Sequence, residues 1–318
     1  MRIYLVLIIT ILFFGCAKDN KIKRDINSIP IDVEILRFDK IFGTAHLDDL
    51  PKLKRSYPAF FPKQFHDTIW EMKMNDSLTQ QLYVEVMKKY PSKDKLKVDL
   101  EDLFRHIEYY FPNFTTPNVV TANSDVDYRN KIFLSDNMLV ISLDNYLGSD
   151  HLFYGGIPNY VVENMKESQI ISDVATIYSQ MYSPKIKSRT FLAQMIYYGR
   201  ILYLKDLWLT HASDEVKIGY SQEKLAWIQD NETEVWRNFI ENEYLYSTNP
   251  KLVSRFINPA PFSKFYLEID NESPGMVGRY IGWQIVKSYM DKNNVSLDKL
   301  LTLSEEEIFN QSKYKPKK

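Results

Sequence analysis

The chain has 318 residues, with 40 Lys and Arg against 41 Asp and Glu and a formal net charge of −1. That balance argues against a dedicated nucleic-acid binder, which carries a basic excess. With 45% hydrophobic and 25% charged residues, wholesale disorder is excluded, and a single cysteine excludes an intramolecular disulfide or a cysteine-rich zinc site.

Residues 3–14, IYLVLIITILFF, form an apolar run directly after Met1-Arg2. It falls short of the roughly 20 residues needed to span a bilayer and fits the apolar region of an export signal. Gly15 and Cys16 follow, then the polar stretch AKDNKIKRDINS. A small residue before a lone Cys at the end of such a run resembles the lipobox of bacterial lipoproteins, with Phe13 where that motif prefers Leu. The resemblance implies diacylglyceryl transfer to the Cys16 thiol, cleavage after Gly15 and acylation of the new amine. Each buried CH₂ contributes about 0.8 kcal/mol, so two or three acyl chains hold a protein at a membrane almost permanently. The expected division is a signal peptide over 1–15, a lipidated Cys16 with a charged tether over 16–30, one globular domain over 31–312, and a frayed basic tail over 313–318. Ala17 stands where an Asp would resemble an inner-membrane retention signal. The expected location is the outer membrane facing the periplasm, with the inner membrane and the cell surface left open.

Ile31, Val33 and Ile35 alternate with Asp32 and Glu34, predicting a strand over 31–38. Asp76 or Ser77 begins a helix to about Tyr90, with Leu78, Leu82, Val86 and Met87 on one face. Leu100, Leu103, Phe104 and Ile107 predict a second helix, ended by Pro112. Three short apolar runs within 118–143 read as a meander, with Asp136-Asn137 in a turn. From Asn159 the pattern is helical: 170–182, a longer helix over 190–209 that is apolar on more than one face, a helix from Ser221 with its stripe reaching Ile240, and a last long one over Met276–Asn293. Ser273 is expected to cap that helix, with Pro274 in its first turn. The predicted class is α+β, predominantly α-helical, with a small sheet in the N-terminal half. The helix 190–209 is expected among the most buried segments of a single core.

No two of the five histidines, His46, His66, His106, His151 and His211, are four apart, so there is no HExxH helix, and GxSxG, GxGxxG and GxxxxGK[ST] are absent. No metal or cofactor is expected. Acidic residues cluster at Asp99/Glu101/Asp102, Asp125/Asp127 and Glu305–Glu307, but glycoside hydrolysis needs two carboxylates at a fixed separation. Glu305–Glu307 follow Ser304 and more simply decorate a helix N-terminus. The 22 Tyr, 18 Phe and 5 Trp are either sugar-stacking platforms or a tyrosine-rich core, and their helical spacing favours the core. Gly148 is expected in a turn with positive φ. Gly278 and Gly282 share a helix face and permit close helix approach. Arg279 and Trp283, also four apart, form either an interaction surface or an internal packed or cation–π pair.

Four stretches in order, IDVEILRFDKIF (31–42), ISLDNYLGSDHLFY (141–154), IGYSQEKLAWIQDNETEVWRNFIENEYLYSTN (218–249) and INPAPFSKFYLEIDNESPGMVGRYIGWQIVKSYM (257–290), together with the lipobox, resemble the gliding-motility lipoprotein family GldB of Bacteroidetes. The resemblance implies a lipid-anchored, non-enzymatic accessory component of the gliding machinery, linked to type IX secretion. Its partners would be the membrane, through the N-terminal lipid, and other machinery proteins, with no nucleic acid and no small-molecule substrate. Asp144, Tyr146, Gly148, Arg279 and Trp283 are the candidate interaction or structural residues, beside the lipid attachment site Cys16. The rival readings are a hydrolase, peptidase-like or glycosidase, and a glycan-binding envelope lipoprotein. The order LDNYLG, helix 170–182, helix 190–209 with Tyr198-Gly199, and PGMVGRYIGWQIV is also similar to some zinc-peptidase-like proteins. That likeness implies a degenerate zinc-peptidase-like fold in which the two helices pack side by side and present Asp, Ser, Thr and Tyr where zinc ligands would stand.

Overall fold

The computed structural model describes residues 21–268 and 270–317. The expected signal peptide, Cys16 and the start of the expected tether lie outside the described residues. The rest of that tether is helical over residues 21–27 (α1), and Ile26 is buried. An apolar side chain with a surface to cover outweighs the solvation of its charged neighbours, so a fully extended linker does not form there.

The alternation in 31–37 works as read, with Val33 and Ile35 buried and Asp32 and Glu34 exposed. Its ladder is shorter than expected, because at Phe38 the chain turns into a helix. Strand β1 (Ile35–Arg37) joins β2 (Asn118–Ala122), β3 (Ile132–Ser135) and β4 (Met138–Ser142) in the order β1-β2-β4-β3. The expected meander is corrected: β2 pairs with β4 in parallel, and β3 lies outside β4 as a hairpin partner. The hairpin turns at Asp136, which adopts φ 49°, as Asp and Asn tolerate.

Around this sheet lie α2 (Phe38–Gly43), α3 (Leu50–Ser56), α4 (Asp67–Asn75), α5 (Ser77–Lys89) and α6 (Asp94–Tyr110). Asp76 caps α5 by accepting from the Thr79 amide at 2.7 Å. The buried face of α5 is Leu82, Tyr83 and Val86, whereas Leu78 is exposed. The second half is helical: α7 (Asn159–Val162), α8 (Ile170–Tyr182), α9 (Phe191–Trp208), α10 (Asp214–Ile218), α11 (Gln222–Asp230), α12 (Glu232–Glu241), α13 (Pro250–Phe256), α14 (Val277–Lys292), α15 (Leu297–Thr302) and α16 (Glu305–Ser312). The predominantly helical α+β class is confirmed.

Three expectations in this half are revised. The helix from Ser221 is two helices, because Asn231 ends α11, its side chain donating to the Trp227 carbonyl, and then precedes α12. Ser273 does not cap α14, since its hydroxyl bonds the Ser263 and Asp270 carbonyls; Met276, at φ 61°, precedes the helix with no side-chain cap. The tail is not frayed. Tyr314 Oη donates to Glu232 Oε1 at 2.8 Å, the Lys317 amide donates to the same oxygen, and the Thr233 hydroxyl donates to the Lys317 carbonyl. Ser304 and Glu307 form the reciprocal cap of α16.

Helices α9 and α14 cross at glycines. A Cβ on Gly199 would lie 2.3 Å from the Gly282 carbonyl oxygen, and one on Gly282 would lie 1.9 Å from that of Met195. The backbones therefore touch, as expected of Gly282. Helix α9 is buried along its length, from Phe191 and Met195 to Leu204 and Trp208. Buried apolar side chains fall into three clusters rather than one core. One lies under the sheet between α5, α6 and α8; one is built around α14; one lies on the other sheet face with α2 and α3. The N-terminal part of α9 belongs to the second cluster and Leu204 and Trp208 to the first.

Candidate functional site

A cleft of about 530 Å³ opens between α8, α9, the start of α14 and the segments 128–131 and 217–220. Its lining carries six cations, Arg129, Lys131, Lys205, Lys217, Lys224 and Arg279, against one carboxylate, Asp173. Several of these cations are matched. Lys131 pairs with Asp173, Lys217 with Asp206 and Asp214, and Lys224 with Glu163. Lys205, Arg279 and Arg129 have no carboxylate in ion-pair contact among the described residues.

Lys205 decides the character of the site. It projects from a helix with no polar face and is only 5% exposed. Its ammonium donates to Thr176 Oγ1 at 2.9 Å and to the Lys217 carbonyl at 2.6 Å. Burial pushes its pKa down to about 8, and the neighbouring Arg279 and Lys131 charges push the same way against Asp173. Arg279 donates its Nε to the Ile257 carbonyl at 2.7 Å, and its Cζ stands 4.0 Å from the Tyr198 ring centroid. Tyr220, buried beside them, donates its hydroxyl to the Gly275 carbonyl.

The LDNYLG segment stands behind this cleft rather than in it. Asp144 is fully buried, and its Oδ2 accepts from the Ser124 amide at 3.0 Å and the Val126 amide at 2.7 Å. Burial raises its pKa to about 6 in spite of those two donors. Asp125 and Val126 both have positive φ, so Asp144 clamps the turn that delivers Tyr128–Lys131 to the cleft wall. Tyr146 donates its hydroxyl to Asp173 Oδ2 at 2.9 Å, and the Lys131 ammonium lies 5.1 Å from its ring centroid. Gly148 has φ 130°. Of the five candidate residues, only Arg279 lines the cleft. Arg279 and Trp283 take different partners: buried Trp283 donates its Nε1 to Asp206 Oδ2 at 2.6 Å and lies under the Lys287 ammonium.

Helices α8 and α9 pack side by side, and Ser172, Asp173 and Thr176 of α8 face the cleft with Tyr198 of α9. The polar position between them is filled by Lys205. Sequence reasoning missed this lysine. The available signal was a cation within a stretch apolar on several faces, which cannot extend its head to water. Among the described residues, no group of three or more His, Cys, Asp or Glu stands together as a metal site.

Comparison with known proteins bears on the whole chain. The sequence model of the family described as Gliding motility protein GldB matches residues 19–316. The chain belongs to the GldB family. It is therefore a gliding motility component, and the order of motifs from residue 31 to residue 290 is legible as that family's. No curated protein and no solved structure matches. No helix among the described residues is long and apolar enough to cross a membrane.

Proposed function

We propose that this GldB-family chain is a lipid-anchored, non-enzymatic accessory component of the gliding machinery, linked to type IX secretion, that acts by binding other machinery proteins. Gly15-Cys16 after the apolar run supports the anchor. The observation that carries the binding reading is the cleft, whose lining is cations, tyrosines and apolar side chains with one carboxylate, itself engaged by Lys131 and Tyr146. A glycosidase works with a pair of carboxylates, and a nucleophilic hydrolase with a nucleophile and a base in contact. The cleft offers mainly donors and flat rings, which favour recognition, and in the one hydroxyl–amine contact described there Thr176 accepts from Lys205 while giving its own proton to the Ser172 carbonyl. The anchor attaches at Cys16, on the periplasmic face of the outer membrane in our reading, and residues 31–312 form one globular domain.

The test is replacement of the chromosomal gene by Cys16→Ser in the native gliding cell. Mass spectrometry should find acylated Cys16 at the mature N-terminus of the wild-type protein, and the variant should accumulate as an unacylated precursor with gliding lost. In-cell crosslinking of the wild type should then co-purify machinery proteins. A wild-type protein that retains residues 1–15, or a Cys16→Ser strain that glides normally, overturns the reading.

A further inference from the structure

The inner end of the cleft joins two cations that the anchoring role does not use. Lys205 is a buried ammonium with no carboxylate partner among the described residues. It has three N–H groups, and Thr176 and the Lys217 carbonyl take two. Arg279 has five, and only Nε is spoken for, by the Ile257 carbonyl. Stacking on Tyr198 fixes the guanidinium plane and leaves its terminal nitrogens as a two-pronged edge. Two cations facing one cleft repel each other, and that repulsion is relieved when an anion lies between them. Burial is the main cause of Lys205's lowered proton affinity, and the Arg279 and Lys131 charges act in the same direction.

We propose that the inner cleft, between Lys205 and Arg279, binds the carboxylate of a short peptide segment presented by a partner protein. Where Lys205 and Arg279 face the cleft, the free cationic donors are few and directional: one N–H from Lys205 and the outer edge of Arg279. That set suits two coplanar oxygens better than the three-sided oxygen shell of a phosphate. The walls suit a peptide body. Tyr128, Tyr160, Tyr198 and Tyr220 supply rings with polar tips, and Ile201 and Met276 add apolar surface. A cleft of about 530 Å³ holds a few residues rather than a protruding domain. Arg129, Lys205 and Arg279, unpaired among the described residues, leave the lining with an excess of positive charge that favours acidic segments. The inference deepens the partner-binding reading and rests on it.

The experiment uses the full mature chain in detergent micelles and fluorescence anisotropy. The probes are three fluorescein-labelled five-residue peptides of Gly, Ala and Tyr: one with a free C-terminal carboxylate, one amidated, and one amidated with an internal Asp. At least one carboxylate-bearing peptide should bind tenfold or more tightly than the neutral amide. Which of the two does so tells a chain end from an acidic side chain. Arg279→Gln should abolish the discrimination, Arg279→Lys should retain part of it, and acetate should compete. Glu241→Gln, exposed at the end of α12 and outside the cleft, should leave it unchanged, and melting curves for every variant exclude a mere folding defect. Equal binding of the three peptides, no binding to any, or competition by inorganic phosphate at lower concentration than by acetate overturns the proposal. If the titration fails while Cys16→Ser still abolishes gliding, the ligand is wrong and the anchored accessory role stands. If Cys16→Ser cells glide normally while the titration succeeds, that role falls and the cleft stands as a carboxylate site.

Discussion

Asp144 is a carboxylate without solvent, and both amides it serves point at a single oxygen, Oδ2. Asn can supply the same oxygen without a buried charge, whereas Ala leaves two amides without a partner. We therefore expect Asp144→Ala to destabilise by about 2–4 kcal/mol and Asp144→Asn by much less, as read from denaturant unfolding. The folded carboxyl titrates at about 6, above its ordinary value of 3.8. Between those values the native state binds more protons than the unfolded state, so stability falls as pH rises through 4 to 6, by roughly 3 kcal/mol from this group. Asp144→Asn should remove that slope. Lys205 has the opposite sense. Its folded pKa of about 8 lies below the ordinary 10.5, so from pH 8 upward the unfolded state binds more protons and stability rises. The gain should be visible between pH 8 and 10, below the range where tyrosines such as Tyr203, raised to about 12 by burial, draw stability down again. Lys205→Met should lack the gain. A wild-type curve flat over pH 8–10 would contradict the placement of this ammonium.

The contact of α9 and α14 is made by main chain on both sides, and main-chain oxygens cannot rotate out of the way. Gly282→Ala and Gly199→Ala should each cost about 3 kcal/mol or more, at or beyond the upper end of ordinary overpacking. Gly278→Ala should cost less, because its nearest obstacle is the terminal Cδ1 of Ile257 at 2.9 Å. Thermal melts of the three variants should rank them in that order. Gly278 and Gly282 were legible in the sequence because a four-residue spacing on a helix has a direct packing meaning. The break at Asn231 was not, because the apolar positions from Leu225 to Ile240 keep helical spacing straight through it. The parallel pairing of β2 with β4 was hidden for a related reason. Short apolar runs announce strands but not neighbours, and the Asp136 turn reads the same whether β3 lies inside or outside the sheet. In the cleft, Arg279 was found through its motif, whereas Lys205 and Asp173 become a site only when α8 and α9 are laid together.

At the scale of the molecule, α9 belongs at its two ends to different apolar clusters, and the cleft opens along its middle. A helix is a poor place for a boundary between independently melting parts, since its hydrogen bonds form and break together. The two large clusters should therefore unfold in one transition, with far-ultraviolet circular dichroism and tryptophan fluorescence giving coincident curves. Two separated transitions would mean that α9 divides where the clusters meet. The C-terminal residues add a matter of timing. Glu232 is buried and takes hydrogen bonds from Tyr280, Tyr314 and the Lys317 amide. Two of those three donors, Tyr314 and the Lys317 amide, lie 82 and 85 residues downstream of Glu232. A chain made from its N-terminus therefore holds this carboxylate with no more than one of its donors until residues 314 and 317 have followed. The helices around Glu232 complete their packing only then, so the order of synthesis sets the order in which this core can close.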